Sequence, residues 1–279
     1  VLRYLIQMLM KLVRVAAVLS IIVVVLGIVG INVVLSVKED ASAMREENLG
    51  IFLVNPESRQ VELAAVLVQS TGETLPLRSS QSVGGTSLKM VFAESEKEGA
   101  YSIAGTELAA YSFPADGGIE TKRVRIDRVV VVEDEILAEL LRPAGVQRIQ
   151  QSFGDIQAVA EVNASTLLEM LRGNMDAVVW EVSFPTPLMT LSRRATTSEL
   201  LKMAEAAGIS LDEELVKAYI LAEFGKSASP SLQKQREQTL ATLLTAYREG
   251  RIRIYPENTL TRALKYLPES LLMKMVGAA

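Results

Sequence analysis

The chain has 279 residues with 29 Lys and Arg against 33 Asp and Glu, a formal charge of −4, and it contains neither His nor Cys. An acidic balance excludes a protein that neutralises nucleic-acid phosphates across a basic surface. The two missing residue types exclude thiol chemistry, imidazole-based triads, the usual zinc sites and disulfides, so any chemistry runs on carboxylates, Arg, Lys, Ser, Thr or Tyr.

Residues 1–14 carry Arg3, Lys11 and Arg14 and no acid. Val15 to Val37 then run without a charge. At about 23 residues that stretch crosses a hydrocarbon core of about 30 Å, which predicts a transmembrane helix over 15–37. Ala41-Ser42-Ala43 resembles a signal-peptide cleavage site, but it lies beyond Lys38, Glu39 and Asp40, so an uncleaved anchor is expected. Gly27, Gly30 and Asn32 do not make the spacing of a helix-dimer motif and read as permissive membrane residues. The basic N-terminus is expected in the cytoplasm. Removing its three cations leaves 26 basic against 33 acidic residues, a net −7 remainder expected outside the cytoplasm, on a single-pass protein of the inner or cytoplasmic membrane.

Residues 38–48 (KEDASAMREEN) read as a charged stalk, and 49–279 as one extracytoplasmic domain. Strands are predicted at Gly50 to Val54, Val61 to Val68, Leu88 to Phe92 and Val124 to Val132. Helical spacing follows in Ile136, Leu137, Leu140 and Leu141, in Leu167, Leu168 and Leu171, in Leu200, Leu201 and Ala204, and in Leu215, Ala218, Tyr219 and Leu221. A long helix from Ser231 ends at Gly250, and a last helix near Leu260 to Val276 follows the Pro256 turn. The order predicts an α/β fold with a central mixed sheet flanked by helices and a helical C-terminal third. The run from Val132 to Arg142 recurs from Val162 to Arg172, each copy being a strand, a polar cap and a short helix. It is either a duplicated unit inside one sheet or two similar strand–helix corners.

The segment Leu49-Gly50-Ile51-Phe52-Leu53-Val54-Asn55-Pro56-Glu57-Ser58-Arg59, with Leu75-Pro76-Leu77-Arg78-Ser79-Ser80, resembles the first strand and two conserved turns of the LytR-CpsA-Psr (LCP) family. That family comprises membrane-anchored extracytoplasmic enzymes that transfer glycopolymers from polyprenyl-pyrophosphate carriers to the cell wall. The resemblance extends to about residue 276 through Ile126 to Val132, Val182 to Leu188 and Leu211 to Ala246. It implies phosphotransferase chemistry with Arg59, Arg78 and Arg236 as the cationic residues and Glu57 as a Mg²⁺ ligand, with a polyprenyl-phosphate lipid as the molecule bound. Such a site needs guanidiniums for phosphate oxygens, a carboxylate for Mg²⁺ and an apolar groove for the prenyl tail. The departures are specific. Glu57 stands in an Asp place, Ser79 replaces an Asp, Leu221 and Glu223 occupy Arg positions, Gln233 replaces another, and the family's Gly pair is missing. Each lost charge-assisted contact is worth about 1.5–3 kcal/mol, so the pattern fits a divergent, degenerate member.

Other candidates read more simply as structure. Gly84-Gly85 and Gly117-Gly118 mark loops rather than a phosphate loop. Glu133, Asp134 and Glu135 form an acidic helix start that the macrodipole favours. Glu94, Glu96 and Glu98 read as a solvated charge run, Trp180 as a strand residue of the core, and Ser79, Ser80 and Ser82 lack any base for serine hydrolysis. Two functions follow. One is an enzyme or carrier-lipid binder of the cell envelope. The other is a non-catalytic anchored envelope protein that keeps the fold and binds partners through its helical third, Thr196 to Val276; a divisome or secretion scaffold with the same single-pass topology is a third alternative. Glu57, Arg59 and Arg78 meeting at the mouth of one apolar groove favours the first; their dispersal removes most support for catalysis.

Overall fold

A computed structural model of the chain describes residues 46–266 apart from 114–118, 154, 186–189 and 235, together with 36, 39, 40, 42–44 and 268. The span expected at 15–37 therefore lies outside the described residues, Ser36 excepted. Among the described residues no helix is long and apolar enough to cross a membrane. Glu46–Pro256 form one compact unit, while residues 1–45 and 257–279 group into a second.

The larger unit is mixed α/β. It begins with strands β1 (Leu49–Val54), β2 (Val61–Val68) and β3 (Glu73–Pro76), then a small hairpin of β4 (Ser82–Val83) and β5 (Thr86–Ser87). Helix α1 (Glu96–Ile103), the hairpin β6 (Glu107–Ser112) and β7 (Glu120–Arg125), strand β8 (Arg128–Val132) and helix α2 (Asp134–Leu141) follow. Strands β9 (Gln147–Phe153) and β10 (Ile156–Val162), helix α3 (Ala164–Leu171), strands β11 (Val179–Pro185) and β12 (Thr190–Thr196) and helix α4 (Thr197–Ala206) come next. Helices α5 (Glu213–Lys234) and α6 (Arg236–Arg248) lead to β13 (Ile252–Tyr255). The smaller unit contains helix α7 (Thr259–Tyr266).

Two main sheets carry the unit. A mixed sheet runs β13-β8-β1-β2-β3, with β1 and β8 parallel and its other pairs antiparallel. An antiparallel sheet runs β12-β11-β10-β9. Alternation along β1 explains why the mixed sheet joins two cores. Phe52 and Val54 pack with Leu88, Phe92, Ala100 and Ile103 on one side, and Leu53 packs with Ile149, Leu168 and Trp180 on the other. Phe52 and Phe92 meet edge to face with ring centroids 5.4 Å apart. The antiparallel sheet buries every second residue, as in β10 where Ile156, Ala158, Ala160 and Val162 face inward, and leaves its other face to solvent.

The structure redraws several expected elements. Leu88 to Phe92 is not a strand: Leu88–Met90 form a 3₁₀ turn, and both Leu88 and Phe92 are fully buried. A short apolar run carries no period that separates a strand from a buried turn. Val124 to Val132 breaks into β7 and β8, because the Asp127 and Arg128 amides donate to the Asn48 carbonyl at 3.0 and 3.2 Å. The helix expected from Ser231 is shared between α5 and α6, and the helical C-terminal third is interrupted by β13, which returns to the edge of the mixed sheet.

The internal repeat resolves into two similar corners, not a duplicated unit inside one sheet. Its first copy is β8 and α2 in the mixed sheet, and its second is β10 and α3 in the antiparallel sheet. The two corners pack against each other, and Arg172 at the end of the second copy pairs with the buried Asp134 that opens the first helix. Trp180 holds its expected place in the core, fully buried, its indole N–H donating to Thr197 Oγ1 at 2.9 Å.

Candidate functional site

The turn after β1 is built by one side chain. Asn55 Oδ1 accepts from the Glu57 and Ser58 amides, both at 2.9 Å, and its Nδ2 donates to Glu62 Oε1 at 2.7 Å. The Arg59 amide closes the loop onto the Asn55 carbonyl at 2.9 Å, with Arg59 in the left-handed region at φ 57°. A non-glycine residue there costs about 1 kcal/mol or more, so its surroundings hold it in place.

What holds it is Glu96, in the first turn of α1 and only 8% exposed. Arg59 donates to Glu96 Oε2 at 3.0 Å. Tyr255 donates its hydroxyl to Glu96 Oε1 at 2.9 Å, and Arg253 Nε donates to the same oxygen. Arg253 also reaches Glu133 Oε1 at 3.3 Å and the Gly250 carbonyl. Burial of Arg253 works against its charge, but the hydrogen bonds and charges of Glu96 and then Glu133 outweigh it and raise its pKa above the ordinary guanidinium value. Two cations and two carboxylates thus meet with no net formal charge, tying the β1–β2 turn, α1, β13 and the end of β8 together.

Glu96 corrects the expectation of a solvated run. Glu96, Ala100 and Ile103 lie at helical spacing on the buried face of α1, behind the Ser95 cap that accepts from the Glu98 amide at 3.3 Å. That spacing is present in the sequence and was the available signal. The helix approaches closely because of Gly99, where an added Cβ would stand 2.4 Å from the Val91 carbonyl oxygen.

Arg78 occupies a different setting. It follows β3, is exposed, and holds its guanidinium 4.8 Å from the centre of the Tyr111 ring. Tyr111 begins a row of rings that continues through Phe113, Tyr219 and Phe153 at centroid separations of 6.3, 5.4 and 6.4 Å. Burial raises the pKa of the Tyr111 phenol; Arg78 opposes that rise while Glu214 and Asp212 add to it. Next door, Ser79 donates from both its amide and its hydroxyl to Glu214 Oε1, the hydroxyl at 2.9 Å. A carboxylate therefore stands against this turn, but α5 supplies it and residue 79 does not.

Beside Ser79 lies a cavity of about 240 Å³ bounded by Glu62, Leu77, Leu171, Glu213, Glu214 and Lys217. Three carboxylates against one ammonium make it a poor receptacle for a diphosphate. A larger hollow of about 580 Å³ lies on the solvated face of the antiparallel sheet, where Arg148 stands opposite Glu161 and Glu181 opposite Arg194. Cross-strand neighbours of opposite charge account for that face, and no reactive group converges on it.

The predicted site residues divide accordingly. Arg59 joins Glu96 and Arg253, and Arg78 joins Tyr111; their described partners share no residue, although Glu62 links the Asn55 turn to the cavity wall. Glu57 is exposed on the same turn as Arg59. Arg236 opens α6, and its side chain lies outside the described residues. Among the described residues no three acidic, His or Cys side chains are placed to hold a metal ion.

No protein-family model matches the chain, and no curated protein matches it. Solved structures are similar to it at low identity. A LytR-Csp2A-Psr enzyme from Actinomyces oris is 11% identical over 78% of this chain and 74% of its own, with a TM-score of 0.38. A putative transcription regulator from Eubacterium siraeum is 12% identical over 80% and 77%, with a TM-score of 0.35. TagT of B. subtilis is 9% identical over 80% and 76%, with a TM-score of 0.28.

Proposed function

We propose that this chain is an LCP-like protein of the cell envelope, anchored through residues 15–37 with its domain outside the cytoplasm, that no longer transfers glycopolymer. The observation that carries this reading is the use of Arg59. Its guanidinium is committed, with that of Arg253, to the buried Glu96. A pyrophosphate would have to share this guanidinium with a carboxylate that is itself taken out of water and that already neutralises its charge. Glu57 is exposed and belongs to no group of three acidic side chains among the described residues, and no step is routed through a metal. The domain then works as a fold that holds partners, protein partners in the envelope first among them.

A second reading, retained binding of a carrier lipid, is favoured by one observation: Arg78 is an exposed cation fixed over Tyr111 at the start of a row of aromatic rings. A phosphate on the guanidinium would use that cation, while Tyr111, Tyr219 and Phe153 are buried and leave a prenyl chain to another surface. The test is extraction of the full chain under non-denaturing conditions, mass spectrometry for co-purified polyprenyl phosphate, and titration with a polyprenyl pyrophosphate with and without Mg²⁺. The non-binding reading predicts no lipid and no thermal stabilisation. Stabilisation lost in Arg78→Ala but kept in Arg59→Ala establishes the lipid reading, and loss in both restores a joint site.

A further inference from the structure

The larger unit runs from Glu46 to Pro256, and one side chain holds Glu47 and Pro256, at its two ends. The buried Arg128 donates from Nε and Nη2 to the Glu47 carboxylate, the latter at 3.1 Å, and from Nη1 to the Pro256 carbonyl. The residues that follow Pro256 therefore start where the stalk stops. Within the smaller unit the two strands of chain stay together, because the Leu260 amide donates to Asp40 Oδ2 at 3.2 Å. Asp40 is three residues beyond Val37, the last residue of the uncharged run. At about 3.3–3.6 Å per residue, Asp40 lies within about 10 Å of chain from the end of that run. Helix α7 is thus tethered beside the point where the anchor leaves the bilayer.

Helix α7 is built to stay formed there. Asn258 Oδ1 accepts from the Thr261 amide at 2.9 Å while Thr261 Oγ1 accepts from the Asn258 amide at 2.8 Å, a reciprocal cap. Leu260, Ala263 and Leu264 are partly buried and Thr261 is buried. Arg262, Lys265 and Tyr266, at the i, i+3, i+4 spacing of one helix face, are exposed, Tyr266 at 86%. The acids nearest in the described hydrogen bonding are engaged, Asp40 by the Leu260 amide and Glu257 by Lys265 at 2.8 Å. Arg262 and an unburied Tyr, with Lys265 beside them sharing its charge with the exposed Glu257, on a short helix near a membrane-emergence point match the headgroup layer, where Tyr rings partition and basic side chains meet anionic lipid.

We infer that the Arg262–Lys265–Tyr266 face of α7 lies on the anionic lipid surface of the membrane that holds the anchor. This rests on the anchored reading given above, and the test separates the two. The chain has no Cys, so a single introduced cysteine carries an environment-sensitive dye uniquely. Full-length Ser20→Cys and Tyr266→Cys chains are reconstituted in vesicles of phosphatidylcholine with or without phosphatidylglycerol, and quenching by headgroup-labelled and tail-labelled lipid is compared. The inference predicts a tail-quenched Ser20 label and a headgroup-quenched Tyr266 label, the latter signal falling at least twofold without phosphatidylglycerol or with Arg262→Glu and Lys265→Glu together. A tail-quenched Ser20 label with the Tyr266 label at its water value in both vesicles overturns the inference and leaves the anchor standing. Headgroup quenching that ignores both phosphatidylglycerol and the charge reversal overturns the choice of anionic lipid. A Ser20 label in water overturns the anchor and the inference with it.

Discussion

The cluster around Glu96 and the turn around Arg78 each contain an arginine that matches the resembled family, and each sets it among carboxylates, but they use it differently. At Glu96 the carboxylate is buried and bonded to Arg59, Arg253 and Tyr255, and the charges close on one another. At Arg78 the guanidinium is exposed over a ring, and the neighbouring Glu214 is engaged by Ser79. An arginine at a matching position is thus no guide to its task; what decides the task is whether a carboxylate already neutralises it. The first cluster belongs to stability, and the second has a cation that no described ion pair neutralises.

Substitutions at the two regions sharpen that contrast. The largest effect is expected for Glu96→Gln, which leaves two guanidiniums around a neutral amide and lowers unfolding free energy by about 3 kcal/mol, read by urea denaturation of the full chain. A loss below about 1 kcal/mol would mean that the cluster does not hold the unit together. Gly99→Ala sets a methyl against the Val91 carbonyl and is expected to cost about 2 kcal/mol by the same measurement. Arg59 is 42% exposed, so solvent screens its pair and Arg59→Ala is expected to cost only about 1 kcal/mol. Arg59→Gly should cost less than Arg59→Ala, because it relieves the positive φ while losing the same bond. Arg78→Ala is expected to leave stability within about 0.5 kcal/mol of the parent.

A pH experiment separates the aromatic row from the charge cluster. Tyr219 donates its hydroxyl to the Gln150 carbonyl, and burial, then the charge of Glu223, raises its pKa above the ordinary phenol value of 10.0. Below that value both folded and unfolded chains keep the proton and nothing changes. Above it the unfolded chain ionises first, so stability falls as pH rises. Tyr219→Phe is expected to flatten that fall between its own melting curves at pH 9 and above pH 10, and an unchanged slope would show that the phenol is not shielded.

Much of the fold was legible because it rests on period and cap. Strands β1 and β2 and helices α2 to α4 carry apolar spacing of the right period, and Asn163 caps α3 by accepting from the Thr166 amide at 2.8 Å. Sheet membership was not legible, since the Val132 and Val162 corners look alike locally and are separated only by long-range pairing. The turn carrying Glu57 and Arg59 was found from its residues. Glu96, Arg253 and Tyr255, which decide what Arg59 does, were not. Glu96 and Arg253 are 157 residues apart in the chain, and no local pattern announces an ion pair across that distance.

The most direct measurement of the central claim is turnover. The full chain, reconstituted in vesicles, is incubated with a polyprenyl-pyrophosphate-linked glycan and Mg²⁺ beside Arg59→Ala and Arg78→Ala chains of verified fold, and released polyprenyl phosphate is quantified over time. A committed Arg59 predicts release at the uncatalysed rate in all three. Release by the parent chain that Arg59→Ala abolishes would contradict the account, because it would show that the guanidinium leaves Glu96 to serve a phosphate.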